Sequence, residues 1–173
     1  MIKVFLAALV LPFAAVIPSF GDSAAATLGV SANVVKACQV TTTSIAFGDY
    51  DPLANASAPL NAAGAVTISC TRGTAPAVGL SSGTNGDGSA RRMRGAGSAL
   101  LAYELFRPTS GAPGAGCVLG SSGAWGDGPG GLFAPGIVTD AKPRAYTICA
   151  RVGAGQSPSA GPYTDSVLVT VNF

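Results

Sequence analysis

Histidine is absent from the chain. That gap removes histidine general bases, imidazole metal ligands and the Ser-His-Asp triad together, and most enzyme readings go with them. Charge is scarce as well. Only 10% of residues are charged, and ten basic against eight acidic side chains leave a net +2, too little for the basic footprint of a nucleic-acid binder. Helical pattern is also missing. Past the N-terminal segment, no stretch of about ten residues keeps apolar spacing of three and four without a Gly or Pro interrupting it. No C-x-x-C spacing occurs among Cys38, Cys70, Cys117 and Cys149.

The chain begins Met-Ile-Lys and continues into an apolar run from Val4 to Ile17, broken by Pro12. That run is shorter than the roughly 20 residues needed to cross a bilayer and reads as an export signal. Small residues at Ser23, Ala24, Ala25 and Ala26 supply the cleavage pattern, with the cut expected after Ala26 and Ala25 the next choice. No cysteine directly follows the run, so no lipid anchor is expected. About 147 residues then remain, enough for a single domain with its own core.

Export also fixes the redox setting. Four cysteines in an oxidising compartment predict two disulfides. Three connectivities are possible. Cys38 with Cys70 and Cys117 with Cys149 is favoured, because each pair then joins segments that read as strands of one sheet system. Each bridge would close a loop of about 33 residues and stabilise by roughly 3 to 4 kcal/mol in the chain-entropy model.

Short alternating or β-branched runs between Gly, Pro, Asn and Asp clusters predict an all-β sandwich, with strands within 27–43, 64–71, 75–82, 99–107, 144–152 and 163–173. Val66, Ile68 and Cys70 share one face, as do Leu101, Tyr103 and Leu105, and Tyr146, Ile148 and Ala150. Each face should point inward. Asn85-Gly86-Asp87-Gly88 marks a turn, and residues 108–143 are Gly- and Pro-rich enough to be mostly loop. Trp125 in that loop is expected to cap an open end of the core.

Two segments carry the functional argument. Leu28, Val30, Ala32 and Val34 alternate with Thr27, Gly29, Ser31 and Asn33, and Val167, Val169, Val171 and Phe173 line one face of the last segment. A final strand with nothing after it would leave a seven-stranded immunoglobulin-like sandwich one strand short, with an apolar groove and unpaired backbone groups exposed.

Other motifs read as structural. Gly79-Leu80-Ser81-Ser82-Gly83 matches G-x-S-x-G but precedes a turn and has no base. Gly126, Gly128 and Gly131 fit G-x-G-x-x-G with Pro129 inside and no helix following. Asp49, Asp51, Asp87, Asp127, Asp140 and Asp165 fall mostly in turns, and no metal site or cofactor is expected. Arg91, Arg92 and Arg94 read as a solvated, charge-blunted sheet edge. Asn55-Ala56-Ser57 is a formal sequon, relevant only in a eukaryotic secretory pathway.

Taken in order, several motifs carry a family resemblance. They are Val30-Ser31-Ala32-Asn33-Val34 before Cys38, Ile45-Ala46-Phe47-Gly48-Asp49-Tyr50-Asp51-Pro52, Val66-Thr67-Ile68-Ser69-Cys70-Thr71 and Arg92-Met93. Leu101-Ala102-Tyr103-Glu104-Leu105-Phe106, Trp125-Gly126-Asp127-Gly128, Arg151-Val152-Gly153-Ala154-Gly155-Gln156 and the closing Gly161 to Val171 complete the set. The chain resembles the spore coat protein U domain family, which includes subunits of archaic chaperone-usher pili.

That resemblance implies an incomplete immunoglobulin-like subunit, with a periplasmic chaperone, an outer-membrane usher and neighbouring subunits as partners. It implies no nucleic acid, no cofactor and no catalysis. Leu28, Val30, Ala32 and Val34 would be donor-strand knobs within residues 27–36. Val167, Val169, Val171 and Phe173 would line the acceptor groove of the domain at 37–173. The Cys38–Cys70 bridge matches the family's disulfide, whereas Cys117 and Cys149 depart from its pattern. The implied role is a secreted pilus subunit at the cell surface supporting adhesion or biofilm formation. The alternatives are a spore or cyst coat protein using the same domain, and a monomeric carbohydrate-binding sandwich.

Overall fold

The computed structural model describes residues 21–88, 90–117, 119–120 and 123–173. The export signal expected over residues 1–26 lies mostly outside the described residues. Residues 21–33 form a unit of their own, all exposed and without helix or strand.

Among the described residues of 34–173 there are seven strands: β1 (Cys38–Thr43), β2 (Leu60–Cys70), β3 (Ala77–Leu80), β4 (Arg91–Arg94), β5 (Leu100–Phe106), β6 (Arg144–Val152) and β7 (Val169–Asn172). They build a five-stranded sheet in the order β1-β2-β6-β5-β4 and a two-stranded sheet of β3 and β7, every pairing antiparallel. The chain is all-β, as its alternating patterns imply.

The alternation places side chains as expected. Val66, Ile68 and Cys70 of β2, Leu101, Tyr103 and Leu105 of β5, and Tyr146, Ile148 and Ala150 of β6 are buried on the inner face of the large sheet. Val78 and Leu80 of β3 oppose them from the small sheet. Each of the larger aliphatic side chains contributes roughly 1.5 to 3 kcal/mol by leaving water. Trp125 is fully buried in the 107–143 segment, stacked edge-on against Phe133 at 5.3 Å, and Phe133 in turn meets Tyr146 at 5.1 Å. Its indole N–H donates to Val78 O at 2.9 Å, so the polar edge of the ring is satisfied inside the core.

Two disulfides fasten this frame. Cys38–Cys70 joins β1 to β2, and Cys117–Cys149 ties the long loop to β6.

Four strand expectations are corrected. Residues 27–37 are in no strand of this single chain, β2 begins at Leu60, ahead of its first β-branched residue, Arg91–Arg94 is a strand that the apolar pattern did not mark, and of the expected 163–173 strand only Val169–Asn172 forms one. The reading of the arginines as a solvated edge is half right. β4 is an edge strand, but Arg91 is only 7% exposed. Its guanidinium donates to Leu80 O at 2.7 Å, Ser81 O at 2.8 Å and Trp125 O at 2.7 Å, which supplies a donor to carbonyls at the end of β3 and in the Trp125 loop.

Candidate functional site

Each of the two sheets ends on a bare strand. β1 pairs only with β2, and β7 pairs only with β3, so among the described residues the outer edge of each has no strand beside it. Backbone donors and acceptors on such edges require a partner, either water or another strand.

Between the two edges lies an apolar cavity of about 310 Å³. One wall is Thr42 and Thr43 of β1 with Ser44, Ile45 and Phe47 just beyond it. The facing wall is Tyr163 to Asp165 with Val167 and Val169, and Leu80, Met93, Tyr103, Leu105 and Ile148 form the floor. A second cavity of about 690 Å³ shares Ile45, Phe47, Met93 and Tyr163 with the first and carries the depression on to Tyr50, Pro52 and Pro162. The two therefore make one continuous groove.

Two glycines let its walls approach the sheet. A Cβ on Gly64 of β2 would sit 2.6 Å from Ile45 Cγ1, and one on Gly95 would sit 2.7 Å from the Tyr163 ring. The bare backbone at these points is what seats Ile45 and Tyr163.

One polar cluster interrupts the apolar lining. The Tyr103 hydroxyl donates to Asp165 Oδ2 at 2.7 Å, while Asp165 Oδ1 accepts from Thr84 Oγ1 at 2.9 Å, Asn85 N at 3.1 Å and Asn85 Nδ2 at 3.0 Å. Burial raises the Tyr103 pKa well above its ordinary value, and the bond to Asp165 raises it further. Burial alone would also raise the Asp165 pKa. The hydrogen bonds from Tyr103, Thr84 and the Ser166 and Asn85 amides outweigh it and hold the carboxyl below the usual range. Desolvation lowers the Arg91 pKa, opposed by the nearby Tyr103, Asp127 and Asp165.

At the far end of the groove a second polar fastening holds the rim. Gln156 N donates to the Tyr50 hydroxyl at 3.0 Å. The Gln156 side chain bonds both Ala102 N at 2.8 Å and Ala102 O at 2.9 Å, as a strand backbone would.

The residues singled out in the sequence are distributed unevenly over this geometry. Val167 and Val169 line the groove, Val171 packs against the core farther along β7, and Phe173 is 57% exposed just past the strand end. Leu28, Val30, Ala32 and Val34 are exposed and in no strand. Sequence reasoning missed the Ile45–Phe47 wall, Met93, Tyr163 and the Tyr103–Asp165 cluster. Ile45 and Phe47 alternate about Ala46 and carried a signal, whereas the pairing of Tyr103 with Asp165 carried none. Among the described residues no three acidic or cysteine groups converge as a metal site would require.

The spore coat protein U domain matches residues 24–170, nearly the whole described chain. This chain belongs to that family. No curated protein matches the chain. Among solved structures, a chain of the CsuC–CsuE chaperone–tip adhesion subunit pre-assembly complex, from archaic chaperone-usher Csu pili of Acinetobacter baumannii, is similar in fold. The TM-score is 0.52 at 22% identity, covering 81% of this chain. The matched region spans 40% of that chain's length.

Proposed function

We propose that this chain is an exported structural subunit of a surface pilus, assembled by the chaperone-usher pathway through donor-strand exchange and serving adhesion or biofilm formation. The observation that carries the reading is the continuous apolar groove between the unpaired edges of β1 and β7. In the same chain, an alternating segment at 27–34 has no partner strand. A strand laid in the groove would satisfy both edges and bury alternate side chains, the strand-addition mode of recognition.

Leu28, Val30, Ala32 and Val34 of one subunit are the donor knobs, and Val167, Val169 and Val171 stand along the accepting wall. Phe173 closes its end. Burying the four knobs gives a gross gain on the order of 5 to 10 kcal/mol before ordering costs. Donor and acceptor are different surfaces, so the contact is head-to-tail and builds a filament without closing. A periplasmic chaperone would supply the strand until an outer-membrane usher exchanges it for the next subunit's. The groove offers shape and apolar surface without catalytic apparatus, which suits a structural subunit and not an enzyme.

Deleting residues 27–34 tests the reading. The shortened subunit should still be recovered bound to its chaperone and should form no fibres, and fibres of normal length from it would reject the donor role.

A further inference from the structure

The segment that leads out of the domain is bolted down at its last possible residue. Thr71 N donates to Ala37 O at 2.9 Å, Ala37 N donates to Thr71 Oγ1 at 3.1 Å, and that hydroxyl donates to Val35 O at 3.1 Å. Fixed structure therefore begins at Val35, immediately after Val34. If Val34 is the last donor knob, no slack chain separates one subunit from the next, and the two bodies must meet at this pole.

What the pole presents is basic and apolar. Lys36 and Arg72 flank the bonded Ala37–Thr71 pair, both exposed, and Val35 is 66% exposed beside them. Among the described residues neither Lys36 nor Arg72 has an ion-pair partner, while Arg144 on the same side is neutralised by Asp140 at 2.8 Å.

The opposite pole is its complement. β1 ends there at Thr43, and in the loop that follows Asp49 and Asp51 flank Tyr50, whose ring is fixed by the Gln156 contacts. Both carboxylates are exposed and in no ion pair among the described residues. Leu53, 88% exposed, lies two residues on. The cations and the anions are thus each mounted beside an anchored residue, at opposite ends of one body.

Resting on the donor-strand reading above, we propose that the Lys36–Arg72 pole of each subunit docks on the Asp49–Asp51 pole of the copy that receives its donor strand. This orientation has the donor running antiparallel to β7 and parallel to β1, because the two bare edges themselves run in opposite directions. The reverse orientation would set cations against cations. The pole contact steers and aligns the joint, and the groove supplies its strength.

The test uses two full-length variants. Lys36→Glu with Arg72→Glu makes both poles negative, and Asp49→Lys with Asp51→Asn makes both positive. The asparagine retains the Oδ1 that accepts from Leu53 N at 2.8 Å. Each variant alone should assemble from its chaperone complex roughly fivefold more slowly than the parent at low salt, the difference shrinking below about twofold in 0.5 M salt.

Mixed in equal amounts, the two should assemble at close to the parental rate, because every joint in an alternating fibre then pairs opposite charges. Parental rates from either variant alone, or no recovery on mixing, would overturn the docking. The 27–34 deletion, run alongside, separates the readings. If it still assembles, the donor role itself fails, whatever the charged variants do.

Discussion

Tyr103 and Asp165 are joined by a 2.7 Å hydrogen bond inside the groove, although they stand on different elements 62 residues apart. The bond links β5 of the large sheet to the approach of β7 on the small one, across the opening that a docking strand would occupy.

That pair sets a pH dependence with two limbs. The depressed Asp165 pKa contributes stability above the ordinary carboxyl pKa of about 3.9, lost as the pH falls below it. The raised Tyr103 pKa contributes stability below the ordinary phenol pKa of about 10, lost as the pH rises above it. Asp165→Asn should lower stability by about 1 kcal/mol at neutral pH and flatten the acid limb. Tyr103→Phe should flatten the alkaline limb. Thermal midpoints against pH measure both, and an unchanged profile in either variant would remove the pair from the account.

Arg91→Met should destabilise by about 3 kcal/mol, since it strips two buried carbonyls and one half-buried carbonyl of their donor while keeping side-chain volume. Chemical denaturation of the chaperone-free domain gives the figure. A loss below about 0.5 kcal/mol would mean that water replaces the guanidinium.

Gly64→Val and Gly95→Val should each shift a groove wall, because the added side chain would collide with Ile45 or Tyr163. The expected result is a folded domain that binds a synthetic 27–36 peptide at least about tenfold more weakly, a loss of roughly 1.4 kcal/mol. Undiminished binding measured by calorimetry would place the peptide elsewhere.

Val169→Asp should abolish both chaperone capture and polymerisation, because it sets an unpaired carboxylate in the groove wall. Periplasmic yield of the chaperone complex is the readout, and an undiminished yield would show that the docking surface does not include β7.

Legibility in the sequence followed periodicity closely. The inward faces of β2, β5 and β6 are alternating apolar positions, and those were readable because a strand's period of two is local. β4 was not. Arg91, Arg92 and Arg94 carry no apolar alternation, and the burial of Arg91 depends on carbonyls of Leu80, Ser81 and Trp125 that only the folded chain brings near. Residues 27–37 show the converse case. Their alternation is that of a strand, yet a strand needs a neighbour, and this single chain gives them none. At the groove, Val167 and Val169 were legible for the same periodic reason. Ile45 and Phe47 carried the same local signal in their alternation, but Tyr163 did not, because its seat is a close approach to Gly95 that no local pattern records.

The Cys38–Cys70 bridge has a mechanical consequence. Tension applied through the N-terminal segment enters the domain at Ala37 and meets a covalent cross-link one residue later. β1 is an edge strand that a steady pull would otherwise peel away bond by bond, but the load is handed instead to β2, which is held on both sides. Under reducing conditions the same pull should unzip the edge at far lower force, so the oxidation state of one cysteine pair sets how hard such a molecule may be stretched.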